Sequence, residues 1–383
     1  MPASPDLVLL LRGAADRPQD LLGERTPLAY ADLPNLRALS RRAALRPFDS
    51  APSGHSVHEG GDLAAAFGLA LDEGADLPAG ALTALADDGP RGPCLRADPA
   101  CVTITPDAAV VRNPADLALT EEEATALVAS LNQELFEPDG ARLVRTAAGD
   151  WLLYPATVPA LRTVPLEGWV GADARGGLPT GADARPWQRL VNEVQMLLAS
   201  HPVNQQRRIE GRLEVNTLWF WGSGDLPPAP TVPWHRVWGS APLLAGFSRL
   251  AGLPHQSIGD QWSAVLEAAA TDGPVLAVSD APRQAAVAGD LGAKVAALER
   301  LDREWLGPLE GALAARKLGG AWLVLGPEAP TGGRVATPVP AAPLLACRPG
   351  RVWPWQRPRS VREQPLPGQP RAWADFPGFP RGR

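Results

Sequence analysis

Cysteine is scarce in this sequence, and the shortage excludes a scaffold held together by disulfides. The three cysteines, Cys94, Cys101 and Cys347, cannot all pair with one another, and none has a second cysteine at CxxC spacing. Small extracellular domains depend on paired cysteines, whereas cytosolic proteins keep their thiols reduced. We therefore predict reduced thiols and a cytoplasmic protein.

Long hydrophobic runs and an excess of positive charge are also missing. The first apolar run, residues 6–11, is too short to cross a membrane and does not follow the basic segment that opens a signal peptide. A formal net charge of -6 gives no electrostatic reason for general nucleic-acid binding. We predict no membrane and no nucleic acid as partners.

The rest of the composition is that of a globular protein, and its residue bias indicates a GC-rich genome. Hydrophobic residues make up 45% and charged residues 20% of the 383 positions, a length that suffices for two domains. Only Lys294 and Lys317 are lysines among 36 basic residues, while Ala, Gly and Pro are abundant. This bias indicates the genome rather than a function.

The clearest local pattern covers residues 183–224 and predicts a helix, a loop and a strand in that order. Apolar residues recur at helical spacing over 187–198, and Asp183 is close enough to cap that helix. Pro202 predicts the end of the helix, because the residue before a proline leaves the α region. A polar, basic loop is predicted over 204–208, and the β-branched and aromatic run 215–221 predicts a buried strand.

Continuous apolar runs elsewhere predict strands that are covered on both faces, as in a parallel sheet; they are residues 7–11, 274–278 and 321–325. Ligands of open α/β sheets bind at the carboxyl ends of such strands, where this sequence has Arg12 and Asp280. Residues 72–185 contain short apolar runs and one helix, 120–135, with a capping box at its start. That mixture predicts a small α+β module.

Two blocks of the sequence resemble a known family. The first contains Leu22-Gly23, Thr26-Pro27-Leu28 and Pro34-Asn35-Leu36, and the second is HPVN at 201–204, then RR, G and VN-LW-WG-G up to residue 224. In these blocks the chain resembles the archaeal-type cofactor-independent phosphoglycerate mutases of the alkaline phosphatase superfamily.

The resemblance implies an α/β fold with an alkaline-phosphatase-like core, in which helices flank a mostly parallel sheet, plus an inserted α+β cap domain. It divides the chain into a discontinuous core (1–71 and 213–352), the cap (72–212) and a Pro-, Arg- and Trp-rich tail (353–383). The tail has no apolar periodicity, so we expect it to be disordered or loosely draped over the surface.

The resemblance also implies two divalent metals, such as manganese or zinc, and a hydroxyl nucleophile. Other residues stand at the family's metal and nucleophile positions, namely Arg12, Gly61, Arg283, Val287, Gly326 and Pro327. A small gap in the match would put Asp280, instead of Arg283, at an aspartate position. Because arginine cannot ligate a cation and glycine has no side chain to phosphorylate, we expect a pseudoenzyme without a metal cofactor.

A pseudoenzyme of this kind would keep a regulatory or ligand-binding role. We expect a small phosphate or carboxylate ligand, since guanidinium groups suit both. The candidate ligand-binding residues are Arg12, His58, Asp62, Asn204, Arg207, Arg208 and Asp280. We further expect Arg12 to pair with Asp62 or Asp280, replacing the charge of a missing metal.

Two other functions stay open on the sequence alone. One is a metal-dependent mutase or phosphatase with relocated ligands, drawn from His55, His58, Asp62 and Asp280. The other is a scaffold that binds a protein partner through the Trp-rich residues 233–238 and the C-terminal tail. Three arginines of the predicted cap are candidates for a phosphate-facing surface, namely Arg91, Arg96 and Arg112.

Overall fold

The computed structural model describes residues 5–50, 60–69, 76–327, 342–350, 371–373 and 376. The strands are β1 (Leu7–Ala15), β2 (Ala43–Asp49), β3 (Cys94–Ala100), β4 (Val102–Ile104), β5 (Ala109–Val111), β6 (Arg142–Arg145), β7 (Trp151–Tyr154), β8 (Thr217–Gly224), β9 (Arg236–Gly239), β10 (His255–Gln256), β11 (Val275–Ser279), β12 (Ala321–Pro327), β13 (Ala342–Cys347) and β14 (Arg371–Ala372). The α-helices are α1 (Pro27–Tyr30), α2 (Pro34–Arg42), α3 (Gly61–Ala66), α4 (Ala79–Ala86), α5 (Glu121–Leu131), α6 (Ala184–Ser200), α7 (Pro202–Ile209), α8 (Leu244–Leu250), α9 (Trp262–Thr271), α10 (Ala281–Val287), α11 (Leu291–Leu301) and α12 (Gly307–Ala314).

A large eight-stranded sheet forms the centre of the fold, in the order β10-β9-β11-β1-β12-β13-β2-β14. β13 runs antiparallel to both of its neighbours, and the other neighbouring strands are parallel. Helices cover both faces, so the predicted core of a mostly parallel sheet flanked by helices is confirmed. None of the helices in the described residues is long and apolar enough to cross a membrane.

β1 lies in the middle of this sheet because its side chains are apolar on both faces. Leu7, Leu9 and Leu11 pack into the core on one side of the sheet, whereas Val8 and Leu10 pack into the core on the other. Each fully buried leucine stabilises the fold by roughly 1.5–3 kcal/mol. This double burial places the carboxyl end of β1 at the centre of the molecule.

A second, antiparallel sheet has the order β6-β7-β3-β8. Its apolar core includes Leu127 of α5 and Val194 of α6, so a small α+β unit is present as predicted. The placement of residues 217–224 in the large core was wrong, because β8 pairs with β3. This strand is buried although it is an edge strand, since Phe220 and Trp219 pack into separate clusters.

The segment after α6 is helical, which corrects the predicted polar loop at 204–208. α6 ends at Ser200 as predicted, but α7 begins immediately with Pro202, and the ring Nδ1 of His201 accepts a hydrogen bond from the Val203 N–H at 3.2 Å. Asp183 does not cap α6 with its side chain. Its carboxylate accepts the Ala160 N–H at 2.7 Å instead.

Part of the C-terminal tail packs into the core, so a tail that is only loosely draped was wrong for these residues. β14 pairs with β2, and Trp373 donates a hydrogen bond from Nε1 to the Ser50 carbonyl at 3.0 Å. Trp373 and Phe376 are buried against Trp234, with ring centroids 6.1 and 4.7 Å away. Aromatic burial thus anchors a segment that has no periodic pattern.

The first block that carries the resemblance contains the start of α2, which is bound to the turn between α11 and α12. Asp302 is buried in a π-helical turn between α11 and α12, and its carboxylate accepts the backbone N–H groups of Asn35 and Leu36 at 3.0 and 2.7 Å. These are free N–H groups at the start of α2, so Asp302 caps that helix from another element. The three cysteines are unpaired and buried.

Candidate functional site

Arg12 lies near the carboxyl end of β1, and its side chain is only 1% exposed. The register of β1 against β12 shifts between Leu11 and Ala15, and Gly13 has a φ of +70°. A Cβ at Gly13 would lie 2.7 Å from the Arg283 Cα, so glycine is needed for β1 to pass this close to α10. The irregular strand end therefore buries a guanidinium at the centre of the sheet.

Asp62 binds this guanidinium in a bidentate pair. Arg12 donates from Nε to Asp62 Oδ2 at 2.6 Å and from Nη2 to Asp62 Oδ1 at 2.8 Å. Asp62 is the second residue of α3, and its Oδ1 also lies 3.0 Å from the Leu63 N–H. The fork of arginine matches a carboxylate in this geometry, which makes the pair both strong and oriented.

Asp280 binds the remaining terminal nitrogen of Arg12. It directly follows β11 and precedes α10, and its Oδ1 accepts from Arg12 Nη1 at 2.7 Å. β1, α3 and α10 are therefore joined by one buried cation. The expectation that Arg12 pairs with Asp62 or Asp280 is confirmed, and Arg12 in fact pairs with both.

Burial and the two carboxylates act in opposite directions on Arg12. Burial by itself lowers the pKa of the guanidinium, but the charges of Asp62 and Asp280 outweigh it, so the pKa lies above its ordinary value. Arg12 is permanently charged, and each carboxylate gains a partner that cannot lose its proton. Removing one member of a buried ion pair leaves an uncompensated charge and destabilises a fold by about 3–5 kcal/mol.

Arg283 and Glu167 extend the cluster on the side of the second sheet. Arg283, on α10, donates from Nη2 to Glu167 Oε2 at 2.7 Å, and its Nη1 lies 3.8 Å from Asp280 Oδ1. Burial raises the pKa of the Glu167 carboxyl, and the nearby charge of Arg283 only partly offsets this effect. Glu167 lies in the 3-10 turn Leu166–Trp169, so this pair connects that turn with the large sheet.

The other positions that the sequence resemblance singles out lie on α3, α10 and β12. Gly61 is the first residue of α3, next to Asp62, and Val287 is the last residue of α10. Gly326 and Pro327 end β12. A Cβ at Gly326 would lie 3.2 Å from the Arg12 Cα, so a side chain here would crowd the strand that carries Arg12.

The described residues of this site do not fit a pair of divalent metals. The two carboxylates that could serve as ligands, Asp62 and Asp280, both accept hydrogen bonds from the Arg12 cation. Guanidinium has no lone pair to offer a metal. Within the described parts of the chain, no group of three His, Cys, Asp or Glu side chains is arranged to hold a metal ion.

A cleft of about 820 Å³ opens above this cluster, between the large sheet and the second sheet. Its floor includes Arg12, Glu167 and Arg283, and its opposite wall includes Arg96 of β3 and Trp221 of β8. The volume is within the range of small-molecule sites. The arrangement can therefore hold a small ligand between the two sheets.

The structure does not bring Asn204, Arg207 and Arg208 to this cleft. Asn204 is fully buried and bonds the backbone of Leu198 and Val215, with distances from 2.7 to 3.0 Å. Arg207 is also buried, and it bonds Glu123 and two backbone carbonyls. Arg208 pairs with Glu214 at the surface. These contacts hold α7 in place.

Other predicted residues are divided between the cleft and the surface. Arg96 lines the cleft, whereas Arg91 and Arg112 are exposed. His55 and His58 lie outside the described residues. Sequence reasoning missed Glu167, Asp98 and Asp150, which line the cleft; no motif or periodicity singles them out.

Comparisons with known proteins agree with this architecture, although no protein-family profile matches the chain. A 2,3-bisphosphoglycerate-independent phosphoglycerate mutase from Methanothrix thermoacetophila is 29% identical over 366 residues, covering 88% of this chain and 89% of the relative. A probable mutase of the same name from Geobacter sulfurreducens is 25% identical over 372 residues, with coverages of 87% and 89%. The solved structure of the PH0037 protein from Pyrococcus horikoshii superimposes with a TM-score of 0.57 at 18% identity, covering 92% of this chain and 90% of that chain.

The mostly parallel sheet, its flanking helices and the second α+β unit define an α/β fold that the PH0037 structure shares. The sequence relatives narrow this class further. The chain is related to the archaeal-type cofactor-independent phosphoglycerate mutases, so the predicted resemblance to that family is confirmed.

Proposed function

We propose that this phosphoglycerate-mutase-like protein binds a small ligand and does not perform metal-dependent phosphoryl transfer. The observation that carries the proposal is the buried guanidinium of Arg12, which donates three hydrogen bonds to Asp62 and Asp280. Arginine stays protonated at physiological pH, so both carboxylates are already neutralised by a cation of the chain itself. A divalent metal would have to displace that cation from a buried site.

The position expected for the nucleophile supports the same proposal. Gly61 opens α3 and has no hydroxyl, while the adjacent Asp62 is held by Arg12. Transfer through a phosphorylated side chain needs a hydroxyl or another nucleophile at this place. Among the described residues, the first turn of α3 therefore offers a carboxylate that is ion-paired and no group to phosphorylate.

The cleft supports the other part of the proposal, namely that the protein binds a small ligand. Its volume of about 820 Å³ and its polar and aromatic lining suit a small metabolite. Because the cleft lies between the two sheets, a ligand there would contact both units of the fold. That position supports a regulatory role, in which binding changes how the two units pack.

The proposal is tested by an assay of the interconversion of 3-phosphoglycerate and 2-phosphoglycerate with manganese or zinc. The mutase from Methanothrix thermoacetophila serves as the positive control under the same conditions. We expect no conversion above background by this chain at any metal concentration, while its thermal unfolding transition shows that it is folded. Metal-dependent conversion would contradict the proposal and would favour an active mutase with relocated ligands.

A further inference from the structure

The cleft above Arg12 has more acidic than basic side chains. Its charged lining consists of Arg12, Arg96 and Arg283 against Asp87, Asp98, Asp150 and Glu167. Asp62 and Asp280 lie directly against Arg12 and add two more carboxylates. Among the described residues, three positive charges therefore stand against six negative ones, which creates a negative potential in a partly enclosed space.

The arginines of the cleft are already bound to these carboxylates. Arg12 is held by Asp62 and Asp280, and Arg283 donates to Glu167 at 2.7 Å. Arg96 donates from Nε and Nη2 to Asp98 Oδ1 at 2.9 and 2.7 Å. A phosphate or carboxylate ligand would have to replace one of these internal partners, which already have good geometry.

Two carboxylates are better placed to receive a new partner. Asp150 pairs with Arg96 at 2.8 Å through Oδ1, but its side chain remains 34% exposed. Asp87 follows α4, and its Oδ2 accepts the Ala147 N–H at 2.9 Å. A carboxylate can accept several hydrogen bonds, so both can bind a further N–H donor from the cleft.

The wall beside these acids is aromatic. Trp221 lines the cleft and donates from Nε1 to Asp98 Oδ2 at 2.6 Å. The guanidinium of Arg96 lies 5.7 Å from the Trp221 ring centroid, so a cation is already accommodated by this wall. Indole rings attract cations through their electron-rich faces, and anions gain nothing from them.

We propose that the cleft binds a cationic small molecule, an amine or a guanidine, instead of the anion that the sequence predicts. The inference rests on the proposed function, because a phosphoglycerate mutase would need an anion site in this place. Carboxylates of the wall bind the N–H groups of the ligand, and the net negative charge of the cleft selects its sign.

Calorimetric titration of the full-length protein tests this inference with four probes, namely spermidine, L-argininamide, inorganic phosphate and 3-phosphoglycerate. We expect heat of binding from at least one of the two cations and from neither anion. Added salt should weaken the binding, since the attraction between charges is screened.

A matched pair of variants locates the binding. Asp87→Asn removes a charge from the cleft wall, whereas Asp88→Asn removes one from the neighbouring side chain, which is 82% exposed and pairs with Arg249. We expect Asp87→Asn to weaken binding of the cation roughly five- to tenfold, as one lost charge at short range should, and Asp88→Asn to leave it unchanged. Asp150→Asn should weaken it by a similar factor.

The outcomes separate this inference from the proposed function. Binding of 3-phosphoglycerate without turnover, or no binding of either cation, overturns the inference and leaves the proposed function standing. Equal weakening by Asp87→Asn and Asp88→Asn also overturns it, because the site would then lie elsewhere. Metal-dependent turnover of 3-phosphoglycerate overturns the proposed function itself.

Discussion

Two buried arginines, Arg12 and Arg207, give the most informative comparison in this molecule. Both are almost without solvent exposure, at 1% and 0%. Arg12 binds two carboxylates from two other elements at the floor of a cleft. Arg207 binds one carboxylate, Glu123, and the backbone carbonyls of Leu117 and Leu213, inside the second α+β unit.

The difference shows that burial of an arginine does not by itself indicate a functional site, and that its position in the fold must be considered as well. Arg207 satisfies carbonyl groups that would otherwise be buried without donors, which is a structural task. Arg12 stands at the carboxyl end of a parallel strand, where ligands of α/β folds bind, and it neutralises the carboxylates of Asp62 and Asp280. The sequence suggests the same ligand-binding role for both residues, and only their surroundings separate them.

Replacing either of these two arginines by alanine should lower the free energy of unfolding more than the other variants predicted below. We expect Arg12→Ala to lower the free energy of unfolding by about 3–5 kcal/mol, because it leaves two buried carboxylates without their cation. Arg207→Ala should lower it by about 2–4 kcal/mol, because two carbonyls lose a donor while Glu123 keeps Arg212 at 2.9 Å. Urea unfolding at neutral pH measures both values. A change below 1 kcal/mol in Arg12→Ala would mean that the ion pairs are not formed in solution.

The two clusters should also differ in the sign of their pH dependence. Burial raises the pKa of Glu167, so its carboxyl holds a proton more tightly in the folded chain, and stability falls as the pH rises through that pKa. Burial acts the same way on Glu123, but the Thr120 N–H together with Arg207 and Arg212 outweighs it and lowers the pKa. Glu123 therefore contributes stability above the ordinary glutamate pKa, and this contribution is lost as the pH falls.

Conservative variants measured from about pH 2.5 to pH 8 test these signs, because the lowered pKa of Glu123 lies below the ordinary glutamate value. The stability of Glu167→Gln should fall less than that of the natural sequence as the pH is raised. The stability of Glu123→Gln should fall less than that of the natural sequence as the pH is lowered. Each effect should stay below about 1 kcal/mol, since both side chains retain contact with solvent. Parallel stability profiles for the two variants would contradict the assignment of opposite shifts.

The strands that position Arg12 could be predicted because their patterns are local. The apolar run 7–11 identifies a strand buried on both faces, and its end places Arg12 at the ligand-binding edge of the sheet. Asp280 could be proposed as a partner because it directly follows another apolar run that predicts a strand. Asp62 could be proposed because it matches the spacing of the related family. The pairing itself required only that opposite charges meet in a buried site.

Glu167 could not be predicted because its role depends on contacts between distant parts of the chain. It lies in a short turn without periodicity and reaches Arg283 across 116 positions of sequence. The helix α7 was missed for a related reason. Its buried side chains, Asn204 and Arg207, are polar, so the usual apolar signal of a packed helix face is absent.

The central claim is that the Arg12 guanidinium takes the place of divalent metal in this fold. Calorimetric titration of the metal-stripped protein with manganese and zinc tests that claim most directly, with Arg12→Asp titrated beside it. We predict no binding by the natural sequence up to millimolar metal, and binding by Arg12→Asp, in which three carboxylates would meet without the Arg12 cation between them. Tight binding of two metal ions by the natural sequence would contradict the account.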